Sequence, residues 1–166
     1  EAPAVVTIHA RTRKEMSKVP ARWEFVKQAV EIRNRCQGET LTLKTLIFGN
    51  GDIMDLKDAQ EKVKETGCDG VMLGRAIFGN PWLFAEYMSS TKEKLEVLIE
   101  HTKLFEELLG SPPAGGKNFA IMKKHFKAYV NGFDGAVELR RKLMEAQTAK
   151  KVEETIVRFL DMSRLL

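Results

Sequence analysis

Two patterns of apolar and polar residues follow one another along this chain. In the first half, short runs rich in apolar residues lie at residues 4–8 (AVVTI), 43–48 (LKTLIF) and 70–74 (GVMLG). Such runs predict strands of a sheet covered on both faces. Between them, Trp23, Val26, Ala29 and Val30 recur at helical spacing up to Arg35, and Leu56, Ala59 and Val63 do so after Asp55. Asp55 has the chemistry of an N-cap, Asp58 suits a first turn and Gly67 suits a stop. Strand, helix, strand, helix, strand is the order of a parallel α/β sheet. Asn80-Pro81 then predicts a further helix through Met88.

Beyond Ser89-Ser90 the period of two disappears and only helical periodicity remains. Leu95, Leu98, Thr102, Phe105 and Leu109 form one apolar face, and Phe119, Met122, Phe126 and Tyr129 form a second that ends at Gly132. A third helix is predicted from an Asp134 cap to about Gln147, and Val152, Ile156, Phe159 and Ser163 mark a fourth. These faces can bury one another as a small bundle. The reading is an α/β region over 1–89, a partial (β/α)8 TIM barrel of three strands, followed by an all-α region over 90–166. The loop near 111–118 follows a helix, not a strand, so it is taken as a connection and not as a phosphate cradle.

The chemistry concentrates where the strands stop. The three carboxyl ends carry HARTR (9–13), GNGD (49–52) and GRAIFGNP (74–81). Ligands of parallel α/β proteins sit outside these ends, and barrel phosphate sites often use the loops after the last two strands. Glycine admits close approach of the backbone and positive φ, so amides of Gly51, Asp52, Gly74 and Arg75 can face an anion, with Arg75 adding charge. Asp52 cannot attract phosphate; it can accept from amides or bond a ligand hydroxyl. His9 can donate to a carbonyl or phosphate oxygen, or only tie down its loop. Asn50 can equally be an ordinary turn residue.

Composition sets limits. The 166 residues are 43% hydrophobic and 30% charged, with a net charge of +4. No apolar run reaches the roughly 20 residues of a membrane span. Cys36 and Cys68 have no paired spacing, which argues against a disulfide framework and against a metal site, and leaves a reducing, cytoplasmic setting as the expectation. The first residue is Glu1 and the first methionine is Met16, which reads as a piece of a longer protein. From Lys117 to Lys151, nine basic residues face only Asp134, Glu138 and Glu145, a local excess of six positive charges. A polyanion such as RNA fits that window, and so does a solvated helical surface.

VTIHARTR, FGNGDI and GCDGVMLGRAIFGNPWLF, with MKKHFKAYVNG and ELRRKL further on, closely resemble the carboxyl-terminal half of the tRNA-dihydrouridine synthase family. The resemblance covers nearly the whole chain. It implies an FMN-dependent (β/α)8 barrel with a helical tRNA-binding domain, reducing uridine in tRNA to 5,6-dihydrouridine with electrons from NADPH. It places FMN contacts at His9, Asn50, Gly51, Asp52, Gly74 and Arg75, with His9 near the isoalloxazine and ribityl part and the glycine-bearing ends near the phosphate. Arg11 would help line the uridine pocket or brace the loop. Lys123, Lys124, His125, Lys127 and Arg140 fall in the helical segments the resemblance associates with tRNA, as a region and not as individual contacts.

The chain also departs from the family. Ala10 stands where glycine is usual between the histidine and the arginine. The family's catalytic cysteine belongs to an earlier strand, and neither Cys36 nor Cys68 occupies its position; both are read as buried thiols. Three strands of a closed eight-stranded sheet leave unpaired edges and an open inner face, so the missing half or self-association is needed to cover them, and the chain alone is expected to be inactive. Two alternatives are another FMN-dependent barrel oxidoreductase and a non-catalytic RNA-binding fragment.

Overall fold

A computed structural model describes residues 3–37, 44–85, 87–110 and 116–163. Leu43, the predicted start of the second strand, and residues 111–115 of the predicted connection lie outside the described residues. The chain divides into two compact units, Glu1–Ile77 and Phe78–Leu166.

The first unit is β1 (Val5–His9), α1 (Glu24–Gln37), β2 (Leu46–Asn50), α2 (Leu56–Thr66) and β3 (Gly70–Met72). The strands are parallel in the order β1-β2-β3. Their register sets His9 beside Asn50 and Asn50 beside Met72, so the three carboxyl tips are level. Trp23, Val26 and Val30 of the α1 region bury against Ile47, with Ile53, Ala59 and Cys68 completing this core. Gly49 is what lets the Trp23 ring lie on the sheet: a Cβ there would fall 2.2 Å from Cζ3 of the ring. The caps form as their residue types dictate. The Asp55 side chain accepts from the Asp58 amide, and Gly67, at φ 71°, ends α2 by donating to the Val63 carbonyl.

The prediction that all three strands are covered on both faces fails. Val5 is 45% exposed, Leu46 38% and Met72 49%, on the face of the sheet opposite Ile47 and Gly49. Right-handed crossovers put both helices on one side, and among the described residues of this unit nothing covers the other. Cys68 is buried, with Sγ 3.3 Å from the Gly70 carbonyl oxygen, but Cys36 is exposed on α1 and is not the buried thiol the sequence suggests. At the amino ends of the strands a buried Arg33 pairs with Asp69, whose carboxylate also accepts from the Ile47 amide.

The second unit opens with short turns. The helix predicted from Pro81 to Met88 is only a 3-10 turn at Leu83–Ala85. Its apolar residues do not share a face: Leu83 is buried, whereas Phe84 and Met88 are exposed, so burial does not offset the cost of nucleating a helix. The bundle comprises α3 (Thr91–Leu109), a 3-10 turn at Phe119–Met122 running into α4 (Lys123–Tyr129), α5 (Ala136–Leu143) and α6 (Ala149–Ser163). Ser90 and Glu93 form a reciprocal capping box at the start of α3, a signal present in the sequence as S-x-x-E. Leu95, Leu98, Phe126, Leu139, Leu143, Val152 and Ile156 are the centre of the core. Leu109, predicted to continue the α3 stripe, is exposed. The α5 helix is shorter than predicted, and Asp134 does not cap it. Gly135 occupies the N-cap at φ 79°, and a Cβ there would come 2.9 Å from the Phe159 ring, so the chain turns tightly under α6 before the helix can begin.

Candidate functional site

Level strand tips in the first unit enclose a cleft of about 1020 Å³, lined by His9, Arg11, Asn50, Asp52, Met72 and Arg75, together with Gly51, Gly74 and the loop after β1. All six residues assigned to the cofactor on the sequence therefore meet in one place. Asn50 Nδ2 donates to the Met72 carbonyl at 2.8 Å, which locks the β2 tip to β3. His9 is exposed on the cleft.

The turn after β2 is unusual in its backbone. Gly51 and Asp52 have φ of 132° and 55°, and Asp52 is one of two described non-glycine residues with positive φ, Met16 being the other. Glycine is required at 51 because a Cβ would sit 2.8 Å from that of Ala21. Aspartate tolerates the left-handed region better than most residues. The turn is held from below by the buried Trp23 indole, whose Nε1 donates to the Gly51 carbonyl at 3.0 Å. Ala10, where the resemblance leads to the expectation of glycine, needs no special conformation. It is buried, its amide donates to the Asn50 carbonyl at 3.0 Å, and its φ is not positive.

Asp52 is the hub of the cleft. Its carboxylate accepts from the Arg11 guanidinium, from the Ala21 amide at 2.9 Å and from Arg75 at 2.6 Å. The hydrogen bond from Arg11 is the main cause that holds the Asp52 carboxyl at about 2, with the Ala21 amide and the charges of Arg11 and Arg75 adding to it against burial. The two arginines differ. Arg11 is 4% exposed in its side chain and also donates Nε to the Val19 carbonyl, which ties the loop after β1 to the turn after β2. Arg75 is 63% exposed, anchored at one nitrogen and open to the cleft. The arrangement is a fixed carboxylate that orients an exposed cation at the edge of a glycine-bearing rim. Sequence reasoning missed Ala21 and Trp23 as supports of this rim; Trp23 reads only as a helix-face residue, and Ala21 carries no signal at all.

The basic residues of the second unit separate by environment. Arg140 Nη1 donates to the Val130 carbonyl at 2.7 Å, capping the carboxyl end of α4 from within the bundle. Arg141 and Lys142 pair with Glu138, Arg141 also with Glu145, and Lys151 with Glu154. Among the described residues, Lys123, Lys124 and Lys127 of α4 have no ion-pair partner, and Lys124 and Lys127 are exposed. Three of the nine basic residues of the window are therefore neutralised by carboxylates, and α4 carries three of those that have no ion-pair partner among the described residues.

Parallel strand–helix alternation with polar tips around a cleft, followed by helices, is the architecture of part of a (β/α)8 barrel with a helical appendage. The chain belongs to the dihydrouridine synthase (Dus) family, which it matches over residues 3–163. It is 38% identical over 158 residues to a probable tRNA-dihydrouridine synthase of Staphylococcus epidermidis strain RP62A, covering 94% of this chain and 46% of the relative. It is 37% identical over 158 residues to a probable tRNA-dihydrouridine synthase of Staphylococcus aureus strain Mu50, with the same coverage of 94% and 46%. A probable tRNA-dihydrouridine synthase 2 of Bacillus subtilis strain 168 is 35% identical over 151 residues, 90% of this chain and 44% of the relative. The chain spans about half the length of the curated relatives it matches.

Proposed function

We propose that this chain is the phosphate-binding and RNA-binding portion of an FMN-dependent tRNA-dihydrouridine synthase. The observation that carries the cofactor is Gly74. A Cβ at that position would meet no atom of the described residues within 4 Å, so no described contact demands glycine there. A ligand phosphate brought against the backbone does. Arg75, oriented by Asp52 and still largely exposed, supplies the charge, and Asn50 and His9 stand on the same rim for the ribityl chain and the ring.

FMN, when bound and reduced by NADPH, supplies the hydride that uracil accepts. The chain's own residues bind and orient the cofactor. Asp52 keeps Arg75 aimed at the rim, and Arg11 keeps Asp52 in place. No cysteine of this chain lines the cleft: Cys68 is buried beside Gly70, and Cys36 lies on α1. The proton that completes the reduction must come from another group, and the chain by itself does not turn over. The tRNA reading draws support from the unpaired lysines of α4, and it carries with it a cytoplasmic setting.

Equilibrium dialysis of FMN and riboflavin against the chain tests this reading. FMN binds tighter than riboflavin, and Arg75→Ala weakens FMN about tenfold while leaving riboflavin alone, as expected for one lost charge-assisted contact. Equal retention of the two flavins, or no retention of either, removes the cofactor from these strands. A second reading, RNA binding without flavin, is favoured by the same open lysines; it predicts salt-dependent tRNA binding with no flavin retained.

A further inference from the structure

Phe78, the first residue of the helical unit, is 46% exposed. Its position is built, not incidental. Gly79 follows at φ 73°, and a Cβ there would fall 2.2 Å from the Ala128 carbonyl oxygen and 2.4 Å from its carbon. The turn therefore lies directly on the backbone of α4. This close approach sets the Phe78 ring against His125, with centroids 5.3 Å apart, and places Lys124 Nζ 5.9 Å from the ring centroid. Behind it, His125 meets His101 edge-on at 4.8 Å, and the His101 ring nitrogen lies 3.4 Å from the Tyr129 hydroxyl. Burial pushes both imidazoles down, so near neutral pH this wall is aromatic and uncharged.

An exposed ring beside neutral imidazoles offers a flat apolar surface, and Lys124 beside it has no ion-pair partner among the described residues. Lys123, Lys124 and Lys127 lack ion-pair partners among the described residues, whereas Arg141, Lys142 and Lys151 on the neighbouring helices have them. Apolar planes joined at regular intervals by anionic links are the chemistry of single-stranded nucleic acid. Stacking on such a ring is tolerant of base identity, and cations beside it take the flanking phosphates.

We propose that Phe78 is a stacking platform for an unpaired RNA base, with Lys123, Lys124 and Lys127 holding the phosphates on either side. The proposal rests on the RNA reading above and deepens it. It separates two contributions on one face: the lysines give a salt-dependent, sequence-blind attraction, and the ring gives a salt-independent one.

The test is binding of the full chain to a single-stranded RNA 12-mer carrying one 2-aminopurine, measured at several salt concentrations. Phe78→Ala weakens binding about tenfold and leaves the slope of log K against log salt unchanged. Lys124→Ala flattens that slope by about 0.7, the value for one phosphate of a single strand. Wild-type chain and Phe78→Tyr quench 2-aminopurine; Phe78→Ala does not. Phe78→Leu keeps an apolar side chain against His125 and guards against a folding artefact. It binds like the alanine variant if stacking is the role, and like wild type if bulk alone matters, which overturns the proposal. Unchanged affinity and quenching in Phe78→Ala also overturn it, and RNA binding itself survives if a triple variant combining Lys123→Ala, Lys124→Ala and Lys127→Ala still flattens the slope. If the triple variant changes nothing, the RNA reading fails too. Equally tight binding of poly-glutamate, with competition against RNA, would identify an acidic protein segment as the occupant instead.

Discussion

Replacing Asp52 by asparagine removes one charge and leaves the backbone undisturbed, since asparagine also tolerates the positive φ of 55° at this position. The main effect falls on Arg11. Its side chain is 4% exposed and cannot turn to water, so it keeps only the Val19 carbonyl and whatever the amide oxygen can accept. A hydrogen bond to a charged group contributes about 1.5–3 kcal/mol. The bond from Arg75, on a side chain 63% exposed, adds well under about 1 kcal/mol. A second route starts from the carboxyl itself. Lowering it from 3.8 to about 2 corresponds to about 2 kcal/mol, which screening at a side chain 37% exposed reduces to about 1. The two routes bracket a loss of about 1–3 kcal/mol. Urea unfolding followed by tryptophan fluorescence in a Trp82→Phe background, where Trp23 alone reports, measures it as a midpoint shift of up to about 1 M.

The pH dependence supplies the refutation. The folded carboxyl is depressed, so its stabilisation is complete above the unfolded value of 3.8 and is lost as pH falls towards about 2. The wild-type advantage over Asp52→Asn should therefore be constant near neutral pH and shrink through that window. Equal midpoints near neutrality, or a difference that persists unchanged at the acid end, would show that Arg11 does not depend on this carboxylate.

Two further outcomes test the framework around the site. Gly49→Ala drives a Cβ to 2.2 Å from the Trp23 ring, which should destabilise the first unit by about 1–3 kcal/mol and disturb the indole bond to Gly51; a lower melting temperature with altered Trp23 emission checks it, and a wild-type melting curve contradicts it. In the helical unit, the depressed His101 and His125 mean that the unfolded chain takes up protons first as pH falls below 6.5. Stability should drop on acidification, and His101→Phe, measured by urea unfolding at about pH 8 and about pH 5, should reduce the drop; an equal drop in both proteins removes the histidines as its cause.

Interactions confined to a few consecutive residues were legible in the order of the amino acids. The Asp55 and Gly67 caps, the helical stripes through Val26 and Leu98, and the existence of three strands, predicted over 4–8, 43–48 and 70–74, all depend on local geometry and spacing. So did the shared location of His9, Asp52 and Arg75, because parallel strands joined by helices must end on the same side. What the tertiary structure decided lies between residues far apart in sequence. Gly49 is a glycine because Trp23 crosses it, and Asp52 is fixed by Arg11 and Ala21, partners no spacing rule points to. Arg140 is spent on the Val130 carbonyl while the lysines of α4 stay open, a distinction invisible in a count of charges. Strand burial was misjudged for the same reason. An apolar strand announces that its faces avoid water, but which face finds a cover depends on the surfaces the folded chain brings against it.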